Sequence, residues 1–239
     1  MLQSHSCEPQ GHGPEQAATL NMLDSRAIGR ASCFAQRFMR PGSYRYAVAP
    51  GYGQSLASEY PFSIVVGDGQ VGEMSQYDVR VSDDGRGFTV DQPEISIGPG
   101  DLVLWSGNGR TRAPFAVVGE QDFFNSHRMV NECGFSHAFG TPGEYCWADS
   151  FGSPLKGRIR VRAPEGCDAH EGLARWQKQL GKGHLVMIAD GRADKAELEI
   201  LVGQTVFFAV VTGPGISITD ERLLDLGRTP EPTPPPQAS

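Results

Sequence analysis

At 239 residues the chain is long enough for one large domain or two ordinary ones, and either buries a core sufficient to stabilise itself. A formal charge of -7 and the lack of any Lys/Arg cluster remove the electrostatic basis for binding a phosphate backbone, so nucleic acid is not an expected partner. Thirty glycines and seventeen prolines, spaced between short apolar runs, predict an all-β fold of many strands and turns rather than a helical bundle.

Residues 1–27 read as a polar arm in which PEQAATLNMLDS, from Pro14, has the Ala/Leu content for about two or three helical turns. The start, MLQSHSCEPQGHG, has neither the basic nor the apolar region of an export signal, and no apolar run approaches the roughly 20 residues that span a bilayer. The chain as written therefore reads as cytoplasmic, or as periplasmic if its N-terminus is incomplete.

Beyond the arm, YDVRVS, EISIGPGDLVLW, GRIRVR, LEILVGQTVFFAVV and GISIT alternate with the period of half-buried strands. One helix interrupts them, over residues 168–181, where Leu173, Trp176 and Leu180 form an apolar stripe that docks on the strands, and Gly181 and Gly183 stop it. Residues 228–239 are Pro-rich, with too little apolar surface to offset ordering entropy, and read as an extended tail. Five widely spaced cysteines without a CxxC predict reduced thiols; a Cys133 to Cys146 bridge is open but lies out of cross-strand register.

Two partial repeats organise the middle of the chain. SCFAQRFMRPGSYRYAV (Ser32 to Val48) and CGFSHAFGTPGEYCWAD (Cys133 to Asp149) share the spacing F-x3-F-x2-P-G-x-Y-x-aromatic, and GPGDLVLW (Gly98 to Trp105) matches LVGQTVFF (Leu201 to Phe208). The first reads as a β-hairpin turned by Pro-Gly with its aromatics on the inner face, and the second as its partner strand. These segments resemble the cupredoxin family of Greek-key β-sandwiches, whose N-terminal half carries G-D-x-V-x-W and whose C-terminal half carries P-G-x-Y with the copper ligands after it. The resemblance implies two sandwiches: residues 75–162 as a contiguous unit, and residues 28–67 plus 184–225 as a second unit in permuted order, completed within the chain or by exchange with another subunit.

The resemblance also implies where a type 1 copper ion would sit, because that site needs two imidazoles, a thiolate and a thioether at fixed places on the frame. In the contiguous unit those places hold Phe115, Asp149, Gly152 and Leu155; in the permuted unit Val48, Gly51 and Ile216 stand at three of them. No ligand-forming set remains, so neither electron transfer nor any cofactor is expected. The alternative is copper held by a non-standard set, His127, Met129, Cys133 and His137, all copper-compatible residue types within eleven residues. His5, Cys7 and His12 are a weaker set in the arm, and Asp83, Asp84 and Asp91 lack the alternation of a calcium loop.

There is no G-x-S-x-G elbow, HExxH, Walker A loop or G-x-G-x-x-G before a helix. The function expected from the sequence is therefore a non-catalytic binding or assembly protein, an accessory subunit or homo-oligomer docking through Tyr52, Tyr60, Phe123 and Phe124. Two alternatives stand beside it: the copper protein just described, and an enzyme-complex subunit that contributes to a partner's active site.

Overall fold

A computed structural model describes residues 22–52, 57, 59–109, 111–167 and 170–225. The chain is all-β. Its first set of strands is β1 (Ser32–Arg37), β2 (Gly42–Pro50), β3 (Phe62–Val66), β4 (Gln76–Asp83), β5 (Phe88–Val90), β6 (Glu94–Ile97), β7 (Leu102–Gly107) and β8 (Phe115–Gly119). The second set is β9 (Cys133–Ala138), β10 (Gly143–Ala148), β11 (Lys156–Arg162), β12 (His184–Ala189), β13 (Arg192–Ala193), β14 (Glu197–Leu201), β15 (Thr205–Thr212) and β16 (Thr219–Asp220), with helix α1 (His170–Leu180) before β12 and a helical turn α2 (Glu221–Asp225) at the end.

The two sets have the same wiring. In the first, β2 pairs with β3 and β8, and β3 runs parallel to β6; in the second, β10 pairs with β11 and β16, and β11 runs parallel to β14. Each set thus builds one four-stranded sheet. The remaining strands form one eight-stranded sheet, β13-β12-β15-β9-β1-β7-β4-β5, in which β1 meets β9 antiparallel with Phe34 opposite its own counterpart, Phe135. A local twofold axis therefore passes through that pair. Each small sheet packs on its half of the large one through a T-shaped ring contact, Tyr46 on Trp105 with centroids 5.4 Å apart and Trp147 on Phe208 at 5.2 Å.

This corrects the division expected from the sequence. The strands of residues 28–67 pair with those of 76–119, and no ladder among the described residues joins β4 to β8 with β9, β10 or β11. The units are consecutive, because each arch strand finds its partners in the residues that follow it. The Pro-Gly pairs at Pro41-Gly42 and Pro142-Gly143 also turn differently from the expected hairpin: β1 and β2 lie in different sheets, as do β9 and β10. They are arches, and the motif's tyrosine closes each one. Tyr44 Oη donates to the Arg40 carbonyl at 2.8 Å, and Tyr145 Oη to the Thr141 carbonyl at 2.9 Å.

The segments before β1 and β9 cross between the units. Residues 22–27, expected to belong to a loose arm, are ordered against β16, with Leu23, Asp24 and Ser25 fully buried; the rest of that arm, with His5, Cys7 and His12, lies outside the described residues, as does the 228–239 tail. Ser25 N–H donates to the Ile218 carbonyl at 2.9 Å and its hydroxyl accepts from Ile218 N–H at 3.1 Å. Ser126 does the same to Val117 in the first unit, at 2.9 and 3.0 Å. Ser25→Ala and Ser126→Ala each leave a buried backbone N–H without its acceptor, so each is expected to lower the unfolding free energy by about 1 to 3 kcal/mol, and by similar amounts, in urea titrations.

Helix α1 starts at His170, with Asp168 and Ala169 outside the described residues, and presents the expected stripe. Leu173, Trp176 and Leu180 are half-buried, and Trp176 Nε1 donates to the Val202 carbonyl at 2.9 Å. No described helix is long and apolar enough to cross a membrane.

Candidate functional site

The positions that the resemblance assigns to ligands gather at two places, in groupings different from those expected. Pro50 stands in register with Phe115, and Gly51 N–H donates to the Pro114 carbonyl at 2.9 Å, so Phe115 belongs with Val48 and Gly51. Ser217 N–H donates to Asp149 Oδ1 at 2.9 Å, so Ile216 belongs with Asp149 and Gly152. The cause is the strand pairing itself: β8 closes on β2 and β16 on β10.

In the first unit this end is apolar. Phe115 is fully buried and Val48 packs against the core, and Ala49, Ala116 and Val118 beside them along the strands are also buried. In the second unit Asp149, only 5% exposed, organises the loop. Its Oδ1 accepts from Phe151 N–H at 3.1 Å, Ser217 N–H at 2.9 Å and Ser217 Oγ at 3.4 Å, while Oδ2 accepts from Ser153 N–H at 3.3 Å. Its own N–H donates to the Leu155 carbonyl at 3.1 Å, and its carbonyl accepts from Gly152 N–H at 3.3 Å. Gly152 takes a φ of 84°, which favours glycine, and Leu155 is buried beneath the loop.

Ser217 Oγ extends the network to Ser150 Oγ at 2.8 Å and Thr219 Oγ1 at 3.0 Å. The carboxylate thus pins the loop to the segment before β16. Its oxygens are already engaged, and a soft ion finds neither imidazole nor sulfur among Asp149, Gly152, Leu155 and Ile216.

The non-standard set does not converge. Cys133 and His137 sit four residues apart on β9, about 13 Å along the strand. Met129 is fully buried, bridged to Ile216, and His137 Nδ1 lies 2.8 Å from Ser32 Oγ. Burial pushes the Cys133 thiol up to about 12, which disfavours the metal-binding thiolate. Among the described residues no three His, Cys, Asp or Glu side chains are placed to share an ion, and Cys33, Cys133, Cys146 and Cys167 are free thiols. Asp83, Asp84 and Asp91 accept from backbone N–H groups of Gly85, Arg86 and Arg80, so they shape turns.

His127 instead lies near the ion pair of Arg26 and the fully buried Asp24, 2.9 Å apart. Burial lowers its proton affinity, Arg26 lowers it further, and Asp24 partly opposes them. The unfolded chain then takes up the proton first, so stability is lost as pH falls through 6.5, the ordinary histidine value. Urea titrations between pH 7.5 and 5.5 are expected to show a shallower loss for His127→Gln than for the parent.

Of the expected docking residues, Tyr52 and Phe123 are exposed and Tyr60 is half-buried, but Phe124 is core, stacked on Trp105 at 5.5 Å. Gln121 and Asp122, both in left-handed conformations, turn the chain so that Phe123 packs outside on Tyr44 while Phe124 points in. A second correction concerns charge. Lys156, Arg158, Arg160 and Arg162 alternate along β11 and share one exposed sheet face, a Lys/Arg ladder that a search for contiguous cations overlooks. Its carboxylate partners stand alongside: Glu144 meets Arg160 at 3.1 Å, and Glu199 meets Arg162 at 2.8 Å.

Sequence inspection also missed Asp24, Ser25 and Ser126, the buried hooks of the crossing segments. The signal was a constant offset of 101 residues linking Ser25 to Ser126, Ile28 to Met129, Phe34 to Phe135 and Phe115 to Ile216. Comparison with protein-family models, with curated proteins and with solved structures gives no significant match.

Proposed function

We propose that the chain is a non-catalytic binding or assembly protein of cupredoxin-like ancestry, an accessory subunit in which the type 1 copper positions have been given over to packing. On this reading both units carry the family's two halves in exchanged order, arch first and G-D strand second. The observation that carries it is the Asp149 loop, where a carboxylate satisfied by four hydrogen bonds stands at the thiolate's place. A carboxylate whose Oδ1 accepts three bonds and whose Oδ2 accepts a fourth is held as a loop anchor, and it brings neither imidazole nor sulfur to a soft ion.

Fold alone does not assign a task, so the test must reach the partner. Affinity capture of the full chain from its native host, with metal analysis and activity assays on the same sample, is expected to recover a stoichiometric protein complex without copper bound to this chain. Recovery of the chain alone, loaded with copper, would overturn the proposal. Catalysis by the recovered complex that is abolished by substitutions on this chain, while the complex still assembles, would move it to the enzyme-subunit reading.

A further inference from the structure

The eight-stranded sheet buries one face beneath the two small sheets, and its other face points away from both. Along β12, β15 and β7 the alternation of burial fixes which residues point outward. The strand registers carry that sense onto β1 and β9, whose outward Ala35, Gly134 and Ser136 are small and buried, with the Phe207 side chain lying over Gly134. Among those outward positions only Arg37 carries a charge, at the rim, where it pairs with Glu132 at 3.8 Å and donates to the Gly100 carbonyl. Leu185, Met187 and Val211 are 43%, 46% and 42% exposed on this face.

The repeat supplies an internal control for whether the fold requires such a surface. Leu185 pairs with Phe207 and Met187 with Ala209; the matching places in the first unit are Asp78, paired with Leu104, and Arg80, paired with Ser106. The same backbone therefore tolerates a polar face, and in the first unit Arg80 donates to Ser106 Oγ at 2.6 Å. The apolar version in the second unit is not needed for folding. Contiguous apolar surface of this kind marks an interaction site.

We infer that this face is the interface between two copies of the chain, packed sheet against sheet. Five strands at about 4.8 Å spacing and roughly five residues at about 3.3 Å rise give a ground plan of about 400 Å². Two such faces with their rims bury on the order of 1,000 Å², the threshold for a specific complex. The flanks are charge-complementary to themselves: Asp78 and Arg80 border one side, and Asp194 and Lys195, 3.8 Å apart, border the other. A twofold axis in the plane between the faces then sets opposite charges within reach of one another at either flank.

The inference rests on the binding and assembly reading above, and its test separates the two. Sedimentation equilibrium of the full chain is expected to show a species of twice 25.8 kDa. Leu185→Asp and Met187→Lys are each expected to raise the dimer dissociation constant at least about 100-fold, by burying an unpaired charge, with circular dichroism unchanged. Arg80→Ala should leave dimerisation within about threefold of the parent. A parent chain monomeric at about 100 µM, or a dimer indifferent to both charged variants, overturns the inference. Should those variants unfold, Met187→Cys carrying a nitroxide replaces them: strong dipolar broadening between copies supports the interface, and its absence in a dimer refutes it. A monomer that still captures a stoichiometric partner sinks this inference alone; a dimer that captures nothing retains it and sinks the accessory-subunit reading.

Discussion

Asp149→Ala is expected to lower the unfolding free energy by about 3 to 5 kcal/mol in urea titrations, among the largest losses for any single polar substitution in the chain. The substitution removes the acceptor for Phe151, Ser153 and Ser217 N–H at once, in a position 5% exposed. Water cannot repair all three without opening the loop. Asp149→Asn keeps one acceptor oxygen and is expected to lose less, about half as much. Equal tolerance of both substitutions would show that the loop is held by Leu155 packing rather than by the carboxylate.

Phe124→Ala is expected to cost about 3 to 5 kcal/mol, whereas Phe123→Ala, one residue away, should cost under about 1 kcal/mol. Phe124 stacks on Trp105 at 5.5 Å and meets Phe38 edge-on at 5.4 Å, while Phe123 is 51% exposed. Gly119 is the glycine that admits it, since a Cβ there would come within 2.8 Å of the Phe124 ring. The residue precedes the second unit in sequence but fills the core of the first. Its loss should therefore loosen the crossing segment as well as the core, and hydrogen exchange at the Val117 and Ser126 amides is the local readout.

The fold class was legible because period-2 alternation is a local property, and β4, β7, β11, β12 and β15 each display it in their burial. The helix was legible for the same reason, through Leu173, Trp176 and Leu180. Pairing was less accessible. The family order of halves suggested joining Trp105 to the arch at Pro142, yet Phe34 and Phe135 were already 101 residues apart, with Trp105 and Phe208 following each in the same order. Offsets of 101 for Phe34 and Phe135 and 103 for Trp105 and Phe208 describe a direct repeat, and β2 and β10 each find their sheet partners within their own copy, while β1 and β9 join the copies.

Asp149, Gly152 and Leu155 were expected together and do share one loop, but Ile216, expected beside Val48 and Gly51, lies beside Asp149 instead. Assigning Phe115 to that set failed because membership follows β8 onto β2. The hooks at Ser25 and Ser126 show only in the 101-residue offset that relates them and not in the strand alternation, because a buried serine in a short crossing segment reads as a loop residue until its partner is known. Phe124 was misplaced for a related reason. Adjacent phenylalanines in a loop look alike until the left-handed turn at Gln121 and Asp122 separates their directions.

Copper loading of the purified full chain tests the central claim most directly. The protein is incubated with excess Cu(II), or Cu(I) under reductant, then desalted and analysed for metal content and visible absorption. The account predicts well under one copper per chain and no thiolate charge-transfer band, with unchanged thermal stability. One firmly retained copper per chain, raising the melting temperature and lost on substituting residues of either loop, would contradict it.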